Sequence, residues 1–369
     1  MKRLFVGLFV LVLLTTGCAD KTNLEDLSLS LMVGIDLDEN NKLIFSTSSP
    51  VFSQEAEMKE EHYTSPATTL RKSRDEDDKT LMALTIGGKT QAILIGKRVM
   101  EHDGWFRLLD PYLRDPKNTL NVRIAMVDGP AYEVVQFEPK DKPRLPLYLK
   151  QLIDTAERRN ITVKTTLQDL RRAAYERGIT ASLTEIHKDD RLLVTGTALL
   201  DEEGKYKLSI GDIENRLLRM LQGEIKGDFP FTFKSWEQPR GEVFPENAYS
   251  FTAQNISTKT KTSYVDDKFR FDLKVKMRVI LTERLFDMNV RKEDKKFERD
   301  IEEQFEKRFG QLIAKIQQAQ IDPIGFGMHA RAFEYGHWES VQDRWGQAFS
   351  KADVKVKVKV TLAAMGTTK

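Results

Sequence analysis

Apolar and polar residues alternate most regularly in the last third of the chain. Between Phe269 and Val279, apolar residues occupy every second position, and Arg, Lys or Asp occupy the others. The same period of two recurs from Val354 to Val360, where valine alternates with lysine. Because successive side chains of a strand point to opposite faces, both segments are predicted to be strands with one solvated face. We expect the lysines to form that solvated face or to guard the edge of a sheet.

Between these two strands the apolar period changes to three and four. Apolar residues from Phe297 to Ile316 follow this spacing, which predicts one long helix over residues 290–320. Since an α-helix rises ~1.5 Å per residue, this element is expected to reach roughly 45 Å. The pair Asp322-Pro323 ends it, because proline cannot continue a helix.

Shorter strands and helices are predicted in the rest of the chain. A hairpin is predicted around the polar turn 36–41, and residues 50–78 are expected to be mainly loop around one short helix. Thr166, followed by Asp169, has the spacing of a helix capping box. The predicted strands span residues 29–35, 43–45, 91–95, 120–127, 192–200, 206–210, 229–233 and 251–264, and the predicted helices span 67–74, 104–113, 149–156, 166–178 and 213–221.

This order of elements predicts an α+β fold, a multi-domain mixed α/β body with mainly antiparallel sheets and a long helix in the C-terminal domain. Gly129-Pro130 breaks the pattern, and the proline-containing stretch 140–146 is typical of a linker. The predicted divisions are a signal peptide at residues 1–17, an N-terminal mixed α/β domain at 18–135, a middle α/β domain at 136–225 and a C-terminal domain at 226–369.

The first eighteen residues have the three parts of a secretory signal peptide. Lys2 and Arg3 precede an apolar block, Leu4–Leu14, and small residues lead to Gly17 and Cys18. The block is too short to span a bilayer, which needs ~20 apolar residues. The small residues that lead to Cys18 resemble the lipobox of bacterial lipoproteins. That resemblance implies cleavage between Gly17 and Cys18 and attachment of lipid to the Cys18 thiol.

Charge and cysteine content narrow the possible functions. The 369-residue chain has a formal net charge of +2, which falls to 0 when residues 1–17 are removed with Lys2 and Arg3. A neutral chain argues against nucleic acid as a partner, because phosphate binding needs a basic face. Cys18 is the only cysteine, which excludes an intramolecular disulfide and a cysteine-based zinc site.

No pattern predicts a catalytic, cofactor-binding or metal-binding residue. The sequence contains no His-Glu-x-x-His pair and no Gly-x-Ser-x-Gly turn. The sequence has five histidines, of which the last two lie in a tryptophan-containing segment and are expected to be structural; the five are His62, His102, His187, His329 and His337.

The segment after the long helix has the spacing of a dinucleotide fingerprint, Gly325-x-Gly327-x-x-Ala330. It follows a helix, whereas the pyrophosphate cradle needs a preceding strand. We therefore predict a tight helix-to-helix connection in which the glycines let the backbone turn. Phe326 and the tryptophans that follow should be buried against the sheet.

Several segments resemble the Ger(x)C family, the C-subunit lipoproteins of spore germinant receptors. The tail resembles that family in its Asp-x-x-Gly-x-Gly turn at 322–327, the tryptophan-containing segment after it and the closing valine-rich strand. The N-terminal half resembles it at Val33–Asp36, Ile93–Gly96 and Arg114–Pro116, and the lipobox at Cys18 completes the likeness.

The resemblance implies a three-domain mixed α/β body without catalytic activity. It also implies attachment to the outer face of the cell membrane or spore inner membrane through acylated Cys18, and association with integral-membrane A and B subunits. Two other functions stay open. The first is a solute-binding lipoprotein of an ABC importer, although such proteins have two lobes of alternating strands and helices. The second is a lipid-anchored hydrolase, for which the sequence offers no catalytic motif.

Overall fold

The described structure contains three β-sheets and the helices that cover them. The computed structural model describes residues 27–53, 55–81, 83–235, 247–285 and 293–364. The predicted signal peptide, including Gly17 and Cys18, lies outside these residues. The sheets have two, eight and four strands. The predicted α+β fold class is confirmed.

The eight-stranded sheet is parallel at its centre and antiparallel on both flanks. Its strands are β2 (Met32–Leu37), β3 (Leu43–Pro50), β4 (Glu60–Pro66), β6 (Ala92–Gly96), β7 (Arg123–Val127), β8 (Ser182–Lys188), β9 (Leu192–Leu200) and β10 (Tyr206–Ile210). They lie in the order β10-β9-β8-β7-β6-β2-β3-β4. The pairs β2–β6, β6–β7 and β7–β8 are parallel. Beside this sheet, β1 (Leu27–Leu29) and β5 (Leu84–Ile86) form a parallel pair.

The parallel centre follows from two long helical connections. Parallel neighbours need a crossover of a dozen or more residues, and these crossovers place helices on the faces of the sheet. All five residues of β6 are therefore buried. The helices of this half are α1 (Leu70–Asp77), α2 (Lys97–Met100), a 3₁₀ helix (Trp105–Leu109), α3 (Asp110–Arg114), α4 (Ala131–Val135), α5 (Leu145–Arg158) and α6 (Leu167–Tyr175).

Of the helices predicted beside the eight-stranded sheet, one has the predicted cap and another is divided in two. The predicted capping box at the start of α6 is confirmed, because the Thr166 hydroxyl accepts from Asp169 N at 3.2 Å and the Asp169 carboxylate accepts from Thr166 N at 3.1 Å. The single helix predicted over 104–113 is instead a 3₁₀ helix followed by α3. Pro111 lies in the first turn of α3, and its missing N–H makes it a natural start for a new helix.

Several elements were not predicted, and three of them show why. Strand β4 is an edge strand with no fully buried side chain, so no apolar alternation marks it. In β8 a bulge between Glu185 and Ile186 breaks the alternation. Helix α4 has five residues, too few for a helical period to stand out.

The four-stranded sheet forms the last third of the protein. Its strands are β11 (Phe229–Lys234), β12 (Ala248–Val265), β13 (Lys268–Arg284) and β14 (Asp353–Ala364), in that order. The pair β13–β14 is parallel and the other two are antiparallel. The helices of this part are α7 (Asp212–Gln222), α8 (Asp294–Gln318), α9 (Phe326–Phe333), α10 (Tyr335–Glu339) and α11 (Trp345–Ser350).

Helix α8 packs its apolar side onto this sheet. The helix predicted over 290–320 begins at Asp294 and ends at Gln318, and residues 290–292 lie outside the described ranges. Phe305 is fully buried, with its ring centroid 4.9 Å from that of Phe231 and 5.1 Å from that of Phe233. Burying one such side chain stabilises a fold by roughly 1.5–3 kcal/mol, so this layer contributes strongly to stability.

Strand β14 lies at the edge of its sheet, and α8 satisfies its free N–H groups. Three glutamates of α8, spaced four residues apart on one face, accept from alternate backbone N–H groups of β14. The lysines of β14 are exposed, as predicted, and two of them pair with these glutamates. The hydrogen bonds run from Val358 N to Glu306 at 3.0 Å, from Val360 N to Glu302 at 2.9 Å and from Leu362 N to Glu298 at 2.9 Å.

The two large sheets share one hydrophobic core through α7. Leu199 and Ile210 of the eight-stranded sheet belong to the same buried cluster as Leu217 of α7 and Phe251 of the four-stranded sheet. Strands from both sides of residue 135 pair within the eight-stranded sheet. The division into domains at 135 and 225 stays a prediction.

Candidate functional site: the junction around Asp322

The segment singled out in the sequence wraps around one buried carboxylate. Asp322 is completely buried. Its Oδ1 accepts from Gly325 N at 2.9 Å, and its Oδ2 accepts from Gly327 N and from Trp345 Nε1, each at 2.8 Å. Burial raises the pKa of the Asp322 carboxyl, while these donors oppose that rise. The carboxylate therefore ties α9 and α11 to the end of the long helix.

The glycines of this segment have the structural role that the sequence predicted. Gly325 has a φ of 90°, in the left-handed region that favours glycine, and directly precedes α9. Phe326 and Trp345 are buried as predicted, with Trp345 at the edge of the Phe269 ring, 5.1 Å between centroids. This geometry is that of a tight turn between helices, and no strand precedes it to form a dinucleotide cradle.

The same segment joins the part of the protein around the eight-stranded sheet to the part around the four-stranded sheet. Met328 N donates to the Gly178 carbonyl oxygen at 3.2 Å, and Thr180 N donates to the Asp322 carbonyl oxygen at 2.9 Å. Gly178 and Thr180 lie between α6 and β8, so the contacts connect the eight-stranded sheet to the C-terminal helices. Arg331 of α9 adds an ion pair with Glu176.

A cleft of about 890 Å³ opens beside this junction. Arg219 lies at its wall with its side chain 11% exposed, and its guanidinium lies 3.8 Å from Glu157 and 3.9 Å from Glu224. His329 also lines the cleft, and burial lowers the pKa of its imidazole. The cleft thus carries charges of both signs that lie near one another.

The five histidines are not brought together. His329 stacks on Phe333, and His337 stacks on Tyr264 with 3.8 Å between ring centroids. His187 lies in the other half, 3.0 Å from the Asp128 carbonyl oxygen. Among the described residues, no group of three His, Cys, Asp or Glu side chains has a metal-binding arrangement. The expectation that the protein carries no metal stays a prediction.

A second buried carboxylate joins two of the segments that carried the family resemblance. Asp36 ends the Val33–Asp36 segment, and its Oδ2 accepts from Tyr132 N at 2.8 Å in the first turn of α4. A Cβ on Gly96 would collide with Asp36 Oδ1, so glycine at this position lets the carboxylate lie against β6. Burial raises the pKa of Asp36 to about 7, although the α4 backbone N–H groups lower it. Asp36 thus supplies the helix cap that Pro130 cannot.

Sequence reasoning did not identify Asp36 or the α8 glutamates as anchoring groups. In the sequence, Asp36 stands at the end of an apolar run, a position that predicted the start of a turn and not an anchoring carboxylate. The signal in α8 was the spacing of Glu298, Glu302 and Glu306, but nothing in the sequence pointed to β14 as their partner. The predicted lipid site, Cys18, lies outside the described residues.

These features define an α+β protein with two large sheets, in which buried carboxylates hold backbone segments in place. Two family models match the chain. "Spore germination protein N-terminal domain" matches residues 20–188, and "Spore germination B3/GerAC like, C-terminal" matches residues 195–366. The matches meet in the hairpin between β8 and β9. The chain belongs to the spore germination protein family that these two models describe.

Relatives align with the chain over nearly its full length. Spore germination protein B3 of Bacillus subtilis (strain 168) is 24% identical, over 98% of this chain and 98% of its own. Spore germination protein A3 of the same organism is 22% identical, over 100% and 99%. The crystal structure of the GerBC protein matches with a TM-score of 0.57 and 16% identity, over 89% of this chain and 96% of that one, and so shares the fold.

In the part of the chain that the structure describes, every helix is too short or too polar to cross a membrane.

Proposed function

We propose that this protein is the lipid-anchored, non-catalytic C subunit of a spore germinant receptor, required for germination triggered by nutrients. The observation that carries the proposal is the end-to-end correspondence with spore germination proteins, which includes both family models in their order. A chain that shared only one domain with these relatives would not support the same role.

The proposed anchor is a diacylglycerol on Cys18, with an acyl chain such as palmitate. Support comes from the basic start, the apolar block and the small-residue exit at residues 2–17. A single acyl chain gives only marginal binding, at ~0.8 kcal/mol per buried CH₂, so stable anchoring needs at least two chains. Diacylglycerol supplies two. The body then lies at the outer face of the cell membrane or, in the spore, of the inner membrane.

The proposed partners are the integral-membrane A and B subunits of the receptor. A tether of this kind confines the body to a thin layer beside the bilayer. Its effective concentration toward a membrane-embedded partner rises without any added contact, as for linked binding modules. The neutral charge of the chain after residue 17 supports a protein partner rather than nucleic acid.

A pull-down from spore membranes tests the proposal. The full chain, tagged after Lys369, is extracted in mild detergent, and the proteins that co-purify are identified by mass spectrometry. Recovery of two multi-span subunits is the expected result. An unrelated tagged lipoprotein controls for proteins that accompany any anchored chain. Recovery of an ABC permease instead would identify the protein as a solute-binding lipoprotein and contradict the proposal.

A deletion strain tests the physiological role separately. In a strain without related C subunits, loss of the chain should abolish or slow germination on particular nutrients. Germination is followed by the fall in optical density after each nutrient is added. Normal germination on every nutrient tested would contradict the proposal.

A further inference from the structure

The four parallel strands of the eight-stranded sheet begin at one level. Met32 pairs with Ala92 and Ala92 with Arg123. The register of β7 with β8 places Arg123 level with Ser182. We name this side of the sheet, where β2, β6, β7 and β8 begin, its amino end. Adjacent strands are ~4.8 Å apart, so the chain enters β2 and β8 within about 14 Å of one another.

The first described residue lies beyond this amino end. Leu27 is five residues ahead of Met32 and pairs with Leu84 in the small parallel sheet. The side chain of Leu84 is 61% exposed at this end. The predicted lipid site is therefore joined to the body at the amino end.

The β3–β4 connection adds exposed apolar side chains at the same end. Ser48 pairs with Met32, and β3 continues past that level to Pro50. The connection that follows carries Phe52 and Met58, and both are half exposed.

The junction places α9 and α10 beside the same end. Gly178 is four residues ahead of Ser182, and its contact with Gly327 puts the start of α9 next to the entrance of β8. Phe333 at the end of α9 is 67% exposed, and Tyr335 and Met328 are exposed as well. Tyr175, at the end of α6 and three residues before Gly178, is 75% exposed.

The turn between β12 and β13 extends this surface. Tyr264 stacks on His337 of α10, which fixes the turn against the helices, and the adjacent Val265 is exposed. Ten large apolar side chains are exposed among the described residues, and the contacts above place eight of them at this end. The eight are Phe52, Met58, Leu84, Tyr175, Val265, Met328, Phe333 and Tyr335.

Turns at the opposite end of the sheet are polar. The β2–β3 turn contains exposed Glu39 and Asn40, and the β8–β9 turn contains exposed Asp189 and Asp190. The β9–β10 turn at the amino end is polar too, with exposed Glu202 and Glu203, so the two ends differ in their exposed apolar side chains and not in their charged ones. Apolar side chains collected on one side of a protein mark a surface that binds a partner or a membrane.

The length of chain between Cys18 and Leu27 favours a membrane over a protein partner at this surface. Leu27 is nine positions after Cys18 along the chain. Fully extended, nine residues reach at most about 32 Å, so an acylated Cys18 would keep the amino end close to the bilayer. Tyrosine and other amphipathic aromatic residues favour the interface between lipid and water.

We propose that the amino end is a membrane-facing surface, whose exposed apolar side chains rest in the lipid–water interface beside the anchor and orient the body. This inference rests on the proposed function, because it uses the anchor at Cys18. The surface then fixes which side of the body faces neighbouring membrane proteins and which side faces away.

Fluorescence quenching on the full, lipidated chain tests the orientation. Cys18 is the only cysteine, so a cysteine introduced elsewhere is the only free thiol once Cys18 is acylated. Ala332→Cys places an environment-sensitive fluorophore beside Phe333, and Asn40→Cys and Asp190→Cys place it at the opposite end; all three positions are exposed. The proteins are reconstituted in vesicles of equal parts phosphatidylcholine and phosphatidylglycerol that contain nitroxide-labelled lipid.

The expected result is strong quenching of the fluorophore at residue 332 and little at residues 40 and 190. The double variant Phe333→Ser, Tyr335→Ser should reduce the quenching at residue 332 while the protein still floats with the vesicles. The matched double variant Glu39→Ser, Asp189→Ser, at the opposite end, should leave it unchanged. All four substituted residues are exposed, and circular dichroism verifies that each variant is folded.

The outcomes separate this inference from the proposed function. A chain that floats with the vesicles but shows equal quenching at all three positions contradicts the orientation alone. A chain that does not float contradicts both the anchor and the orientation. Absence of quenching at residue 332 in vesicles, together with cross-linking of that residue to a multi-span protein in spore membranes, would identify a protein interface and overturn the inference.

Discussion

A Cβ atom on Gly178 would lie 2.6 Å from the carbonyl carbon of Gly327, so these two glycines bring the backbones of the two halves into direct contact. Gly178 also has a φ of 93°, which side chains disfavour. The contact closes the junction around Asp322, because Gly327 N donates to that carboxylate. Neither glycine can carry a side chain without moving the other segment.

Gly178→Ala is expected to destabilise the protein. The added methyl group meets backbone, which cannot rotate away, and overpacking of this kind typically costs about 1–3 kcal/mol. The midpoint of urea unfolding measures the effect. Gly310→Ala is the matched control, since nothing lies within 4 Å of its Cβ position in α8 and alanine is the better helix former by roughly 1 kcal/mol. Equal midpoints for the two variants would show that the contact is not tight.

Asp322→Asn tests whether the carboxylate holds the turn. An amide oxygen can replace one carboxylate oxygen, but the amide N–H₂ faces donors that then have no acceptor. Leaving buried donors unpaired costs about 1–3 kcal/mol. Thermal unfolding should show the loss, and the fluorescence of Trp345 should report a changed environment, because its Nε1 donates to Asp322. A variant with unchanged stability and emission would contradict the structural role.

Asp36 should make stability fall as the pH rises. A carboxyl in an unfolded chain loses its proton near pH ~4, whereas Asp36 in the folded protein keeps it until about pH 7. The folded state binds more protons between these values, so this stabilisation is complete below the lower pKa and is lost as the pH approaches the upper one. Asp36→Asn should therefore flatten the dependence of the unfolding midpoint on pH between about 4 and 7.

Comparing the pH profiles of Asp36→Asn and wild type separates the contribution of Asp36 from that of other titrating groups. Burial also raises the pKa values of Asp77, Asp300 and Glu60, and these carboxyls stay in both proteins. Only the difference between the two pH profiles is assigned to Asp36. Parallel profiles would mean that the Asp36 carboxyl is ionised in the folded protein at acid pH.

Glu302→Ala should expose part of the β14 edge. The substitution removes the acceptor of Val360 N and leaves that N–H at the free side of an edge strand. Faster hydrogen exchange at the Val360 amide is the expected result. Glu302→Gln keeps a side-chain oxygen at the same reach and serves as the control, so its exchange should stay near that of wild type. Equal acceleration in both variants would assign the protection to charge instead of hydrogen bonding.

The sequence predicted elements well where one face of a strand or helix was solvated. Alternation at β13 and β14 and the three-four period of α8 marked these elements, because a boundary between core and water runs along each of them. It did not predict β8, where a bulge and burial on both sides remove the alternation. The sequence pattern also did not predict that β14 pairs with β13 in parallel, since strand direction depends on the path of the intervening helices.

The sequence predicted the part of the candidate site that depends on local backbone restrictions and missed the part that depends on distant contacts. The turn at 322–327 was located because Gly and Pro restrict the backbone locally. Its partner Gly178 lies 149 positions from Gly327 along the chain, and no local signal links the two. The caps at Asp36 and on β14 are likewise contacts between distant segments.

Cys18→Ala should release the protein from the membrane without unfolding it. The change removes the only thiol, so no lipid can be attached, and none of the described contacts involves residue 18. In fractionated cells the variant should lose its membrane association, and its purified body should unfold at the wild-type midpoint. Thr15→Leu is the control, because it leaves Cys18 in place and should stay in the membrane fraction.

The germination response of the same variants measures what the anchor contributes. Releasing the body lowers its effective concentration toward membrane-embedded partners, so Cys18→Ala should germinate more slowly than wild type. Deletion of the whole chain should be at least as severe, because contacts between the body and its partners can retain some of the released protein. A Cys18→Ala protein that remains in the membrane fraction and carries no lipid by mass spectrometry would show that another part of the chain holds it there. That result would contradict the proposed anchor.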